Sequence, residues 1–246
     1  MIEDIISLKA KFNKIKNMGW IESKRKGTTG ICYTFETLLG KEEESFPIPD
    51  YGSIEIKTRY RNAKFPITLF NATPDGEYLF PMKRLYDRFS FPQSRNRNFR
   101  VFYASMVATN YTRAGRNYQF KLIVDRKKEI IKVIAYSKST GIIDPNVSWS
   151  FKFLKEKLER KLKYLAFVKA DAQNSFDLQY YKYYDISFFM LKNFDTFLSL
   201  IEDGVINITF VLDCYKTGPK IGQMNNHGAN FEINERDLEK LFIKVC

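Results

Sequence analysis

Asp50, Glu55 and Lys57 stand at a spacing suited to phosphate chemistry, in the stretch Pro49-Asp50-Tyr51-Gly52-Ser53-Ile54-Glu55-Ile56-Lys57. Side chains of an extended chain alternate between faces. Ile54 and Ile56 therefore turn toward a core, and Glu55 and Lys57 lie side by side on the opposite face. Asp50 precedes a Gly-containing turn that can fold its carboxylate back toward Glu55. Two carboxylates offer hard oxygen ligands to a divalent cation, so Asp50 and Glu55 are the expected metal ligands. The adjacent Lys57 can orient or help deprotonate an attacking water, and the cation neutralises charge developing on a phosphate. The same spacing also describes an edge strand carrying a surface ion pair of small energetic consequence.

Two further residues invite a chemical reading. Glu36 lies beside the Phe35/Leu39 face of a short helix, where an unpaired carboxylate is costly; it is either a rim glutamate or an auxiliary carboxylate near the metal. His227 is the one histidine of the chain. With no nucleophile or second imidazole to pair with, it cannot build a catalytic triad. In Asn225-Asn226-His227-Gly228 it is either an ordinary loop histidine or a donor to a guanine edge, with Asn225, Asn226 and Asn230 as amide readers. The tyrosines of 180–184 alternate as sheet packing does.

These residues need a scaffold. Ile5, Leu8, Phe12 and Ile15 fall at helical spacing, and this helix stops near Gly19. A second helix carries Phe35, Leu38 and Leu39 and ends around Gly40. Pro47, Pro49 and Gly52 make the turn into strand 53–57. Residues 65–70 predict another strand, and 118–124 with 130–136 a pair. Phe151, Leu154, Leu158 and Leu162 define a helix capped by Ser148, which runs into a buried-type strand at 164–170. A helix is expected over 187–202, a strand over 205–215, a polar loop over 216–229, a short strand near 230–234 and a last helix. The fold class is α/β or α+β on a mixed central sheet flanked by helices.

The 246 residues fit one domain, or one domain with a grafted lobe, and 44% hydrophobic residues supply a core. No apolar stretch approaches the roughly eighteen residues of a membrane span, and the amphipathic N-terminus is not signal-like. Cys32, Cys214 and Cys246 show no CxxC spacing, as expected of reduced thiols in a cytoplasm. With one histidine, a Cys/His zinc site is excluded.

The net charge of +12 points to a polyanionic partner. Lys83 to Arg126 holds ten basic residues, eight of them Arg, against Asp87 and Asp125, with nine aromatics interleaved. Arginine forks suit phosphates and guanine edges, and aromatics can stack on bases or pack beneath the loops. Lys24-Arg25-Lys26-Gly27 is a second basic cluster, placed in a polar turn as a phosphate contact.

Pro-Asp followed by (Asp/Glu)-x-Lys is the pattern of metal-dependent nucleases, and its surroundings are more specific. Glu22-Ser23-Lys24-Arg25-Lys26-Gly27, Gly30, Thr34-Phe35-Glu36, Leu38-Leu39, Lys41-Glu42-Glu43, Pro49-Asp50 and Ile54-Glu55-Ile56-Lys57-Thr58 follow one another in order. Trp149-Ser150-Phe151, Lys161-Leu162-Lys163-Tyr164, Tyr181-Lys182-Tyr183 and His227-Gly228 continue the series. Together they resemble the MvaI/BcnI family of type II restriction endonucleases, relatives of the mismatch-repair nicking enzyme MutH.

The resemblance implies a PD-(D/E)XK nuclease fold with a catalytic lobe, about 1–80 and 145–204, and a DNA-recognition lobe, about 83–126 and 205–235. It implies Mg2+-dependent hydrolysis of double-stranded DNA at a short specific site, with Mn2+ as a substitute. Asp50 and Glu55 would bind metal, Lys57 would assist the water and Glu36 would support the site. Family members of this type act as monomers on pseudosymmetric sites such as CC-N-GG, nicking the strands in succession. A protecting DNA methyltransferase and a prokaryotic cytoplasm complete the implied system. Lys24, Arg25, Lys26, Arg59, Arg113, Arg116, Lys216, Lys220, Asn225, Asn226, His227 and Asn230 are the expected DNA contacts. The family's loop tends to read His-Asp-His-Gly with an arginine soon after; here Asn225-Asn226 precede His227, and Glu232 stands near the arginine position, so a shifted target sequence is expected. A methylation-directed nickase and a non-catalytic DNA- or RNA-binding protein are the alternatives, although the second has no use for two carboxylates beside a phosphate.

Overall fold

The computed structural model describes residues 2–40 and 48–245. Lys41-Glu42-Glu43 of the family likeness, Pro47 of the expected turn and Cys246 lie outside the described residues. The chain divides into two compact units, Met1–Phe65 with Leu158–Lys192 and Phe242–Cys246, and Pro66–Lys157 with Asn193–Leu241. Residues 66–80, 145–157 and 193–204 thus group with the second unit.

The first unit is built on a mixed sheet. Ile54–Tyr60 runs parallel to Tyr164–Ser175, which pairs antiparallel with Leu178–Leu191; Ile21–Glu22 and Phe242–Lys244 extend the latter. Helix Ile2–Asn17 buries Leu8, Phe12 and Ile15, the residues its helical spacing selects. Helix Gly30–Leu38 buries Ile31 and Phe35. The Phe35 ring lies 5.0 Å from that of Tyr183, whose hydroxyl donates to the Ile31 carbonyl at 2.7 Å. Each such apolar side chain contributes about 1.5–3 kcal/mol by leaving water. Tyr181 and Tyr183 are fully buried, as sheet packing requires.

The second unit holds two sheets. Ser148–Ser150, Ile130–Ser137, Tyr118–Asp125 and Thr112–Ala114 form one, with Gly141–Ile143 beside Ile130–Ser137. Ile67–Asn71, Met224–Ile233, Ile206–Cys214, Arg100–Met106 and Phe91–Pro92 form the other. Phe120 meets Phe89 and Phe102 edge to face in the core of this unit, and Trp149 donates to the Ala72 carbonyl at 2.9 Å.

Three readings from sequence change. Ser148 lies inside a strand, and the cap of helix Phe151–Leu162 is Ser150, whose hydroxyl accepts from the Phe153 amide. Residues 187–191 end the Leu178–Leu191 strand, and the helix covers only Phe194–Glu202, capped by Asn193. The four apolar residues Phe188–Leu191 are too few to carry a period that separates strand from helix. The polar loop stops at Gln223, because Met224–Ile233 is strand, polar where one face meets solvent. In the basic middle, helix Pro81–Phe89 buries Met82, Leu85, Tyr86 and Phe89 at helical spacing behind an N-terminal proline. Of that region's aromatics, Tyr103 and Tyr111 are exposed; Phe89, Phe102 and Phe120 are core.

Candidate active site

The turn before strand Ile54–Tyr60 is fastened from the N-terminal helix. Asp4 accepts from both the amide and the hydroxyl of Ser53. Gly52 has φ +54°, and a Cβ there would meet the Asp4 carboxyl carbon at 2.9 Å. Only glycine satisfies both conditions, and the turn so formed returns Asp50 to the strand. Asp50 Oδ2 accepts from the Ile56 amide at 2.9 Å.

Glu55 is 1% exposed, although it lies on the opposite face from Ile54 and Ile56. Its Oε1 accepts from Lys57 Nζ at 2.7 Å and lies 3.4 Å from Lys161 Nζ. Its Oε2 is buried with no hydrogen-bond partner. Burial raises the Glu55 carboxyl above its ordinary value; Lys57 opposes the rise, and the charge of Asp50 adds to it. Burial works to lower the Lys57 ammonium, but the adjoining Glu55 outweighs it and, with Asp50, holds it above its usual value.

Glu36 joins this cluster through Cys32, whose thiol donates to Glu36 Oε1. Cys32 also feels a hydrogen bond from Thr58 and the charge of Lys57. Burial first, and then the negative charge of Glu36, push the thiol up to about 12. Cys32 and Lys161 were not among the residues expected at the site. Lys161 sits in the last turn of helix Phe151–Leu162, where spacing alone does not separate it from the other lysines.

The unpartnered Oε2 of Glu55 and the nearby Asp50 fit one hard divalent cation. Among the described residues no group of three or more His, Cys, Asp or Glu gathers at one point.

The expected DNA contacts of this unit divide. Lys24 and Lys26 are exposed, and the Arg25 guanidinium lies 3.8 Å over the Tyr33 ring. Arg59 turns inward and donates to the carbonyls of Ala63 and Phe65, so part of its guanidinium is taken up by its own turn.

In the second unit, Arg113 and Arg116 line one cleft with Lys138. Arg126, by contrast, is held by Asp195 and Glu202, and Arg100 by Ser90; part of the basic excess is structural. Lys216 and Lys220 are exposed, with Lys220 above the Tyr215 ring. His227 Nε2 lies 3.0 Å from Asp213 Oδ1 and 3.0 Å from the Asn225 amide. Asn226 accepts from the Gly228 amide. Asn71 donates to the His227 carbonyl and to Asn230 Oδ1, passing where a Cβ of Gly228 would stand at 1.7 Å. Nearby, Glu232 Oε2 accepts from Thr209 at 2.6 Å and from Asn207 at 2.9 Å. These strands thus carry amides, an imidazole and a carboxylate, with the Thr209 hydroxyl buried beneath.

Two carboxylates and a lysine gathered at the entrance to one strand of a mixed sheet form the pattern of the PD-(D/E)XK class of nucleases. The chain belongs to the MvaI/BcnI restriction endonuclease family, which it matches over residues 9–242, and is a site-specific deoxyribonuclease. Among solved structures it is similar to the restriction endonuclease MvaI–cognate DNA substrate complex, at 31% identity and TM-score 0.90, covering 100% of this chain and 98% of that one. It is also similar to restriction endonuclease MvaI in the absence of DNA, at 30% identity and TM-score 0.62, with the same coverage. Nothing matches among curated proteins. No described helix is long and apolar enough to cross a membrane.

Proposed function

We propose that this chain is a Mg2+-dependent type II restriction endonuclease acting as a monomer on a short pseudosymmetric site of the CC-N-GG kind, cutting the two strands by successive nicks. The observation that carries the reading is the buried Glu55 with one oxygen on Lys57 and the other without a partner, beside Asp50. Asp50 and Glu55 are the residues that hold the cation. When bound, the cation neutralises phosphate charge and lowers the pKa of water. Lys57 orients the attacking water and holds a proton near it; Lys161 and Lys57 together keep Glu55 ionised. Glu36, fixed by Cys32, supports this cluster. One chain with one such cluster suits a monomer that attacks one strand at a time.

Lys24, Arg25, Lys26, Arg113, Arg116, Lys216 and Lys220 supply the sequence-independent hold on phosphates, while Asn225, Asn226, His227 and Asn230 read bases. Glu232 departs from the arginine of the family pattern and favours a donor such as the cytosine amine, so the target differs at that position. The system partner is a DNA methyltransferase that needs no physical contact, and the compartment is a prokaryotic cytoplasm.

Digestion of unmethylated phage DNA with Mg2+, beside EDTA and Asp50→Ala controls, tests the reading. Discrete fragments lost in both controls support it. Nicked circles with no linear product would move the assignment to a strand-nicking enzyme, and intact DNA bound without metal would remove catalysis altogether.

A further inference from the structure

The ribbon made by Tyr164–Ser175 and Leu178–Leu191 outruns the neighbouring strand of its sheet. Ile54–Tyr60 stops pairing at Ala170, whereas the hairpin pairs as far as Ser175 opposite Leu178. At about 3.3 Å per residue, the tip stands roughly 16 Å beyond that neighbour. A two-residue turn closes it with Phe176 at φ 48° and Asp177 at φ 64°. Such turns favour Asn-Gly, because positive φ is costly for a bulky L side chain. Phe176 is 98% exposed, so its ring gains no burial within the chain. Conformation and solvation both oppose a phenylalanine here, and at that exposure packing within the chain does not offset them.

The Lys24-Arg25-Lys26 loop shares with this tip a cleft of about 690 Å³. Glu22 and Asp177 also line it, so three cations against two carboxylates leave +1, with Lys24 and Lys26 exposed. Cations beside a projecting aromatic suit duplex DNA, where phosphates meet the cations and an apolar side chain can part a base step. We propose that Phe176 is a wedge that enters a base step flanking the cut site while the Lys24–Lys26 loop holds the adjoining phosphates. The inference rests on the DNA-cutting role argued above and adds to it a contact outside the recognised bases.

The test uses the full chain and its own cleaved duplex, bearing 2-aminopurine at successive flanking positions, bound in Ca2+ without cleavage. Wild-type binding raises fluorescence at one flanking step. Phe176→Ala abolishes that rise and weakens binding about five- to a hundredfold on every flanking sequence, as loss of a base–aromatic stack does; Phe176→Trp restores both. Phe176→Gly relieves the left-handed backbone, so its Tm rises while its affinity falls with that of Phe176→Ala, which separates the contact from folding. A wild-type chain that cuts DNA while Phe176→Ala matches it in affinity and fluorescence overturns the wedge alone. The same holds if Phe176→Ala alters only the oligomeric state. A wild-type chain that cuts no DNA overturns the wedge and the nuclease reading together.

Discussion

Lys161 Nζ stands 3.4 Å from the same Glu55 oxygen that Lys57 reaches at 2.7 Å. Burial pushes the carboxyl of Glu55 up, and two cations from different elements oppose that rise. Lys161→Met removes one opposing charge, so the Glu55 pKa rises further. The acid limb of single-turnover cleavage, measured against pH with Mg2+, should move to higher pH, and Lys161→Arg should leave it in place. An unmoved limb in Lys161→Met would exclude Lys161 from the site's electrostatics.

Asp50→Ala separates binding from chemistry. Cleavage should fall by roughly a hundredfold or more, the scale of losing one electrostatic partner of a transition state. Affinity for DNA measured in EDTA should hold or improve, because a negative charge near the phosphate is gone. Retained cleavage would displace Asp50 from the metal.

The raised Cys32 thiol gives a stability prediction at alkaline pH. Its folded pKa, about 12, lies above the ordinary 9.0. The folded state therefore keeps a proton that the unfolded chain releases. This contribution is complete below pH 9 and is lost at about 1.4 kcal/mol per pH unit as pH rises toward 12. Urea unfolding of wild type and Cys32→Ala should show the wild type losing stability more steeply above pH 9. Parallel curves would refute the burial of that thiol.

Salt distinguishes phosphate grip from base reading. Neutralising Lys24 and Lys26 should weaken binding to all sequences alike and flatten the plot of log affinity against log salt by about one unit per lysine. His227→Ala and Glu232→Gln should instead change which sequences are cut, at about 1–3 kcal/mol of discrimination per lost base contact. Sequencing the fragment ends checks this; equal loss at every site would take His227 out of base reading.

The catalytic strand was legible because its two demands coincide in period two: Ile54 and Ile56 for the core, Glu55 and Lys57 for the site. Asp50 followed from a glycine turn of the right length. The helices at 2–17 and 30–38 were equally plain, each having one apolar face. Lys161 was hidden because a lysine in a solvated last turn looks the same whether or not a buried carboxylate waits beside it. The arginines between 83 and 126 overstated the DNA surface, since Arg100 and Arg126 serve internal acceptors that no spacing discloses. The apolar run at 188–191 concealed a strand end because it is too short to show a period.

Glu55 and Lys57 pair in register with Leu165 and Phe167 of the parallel strand. A slip of one residue would send Ile54 and Ile56 to the polar side and drive both charges into the core. The register that seats the core is therefore also the register that assembles the site, so a misregistered copy loses both together.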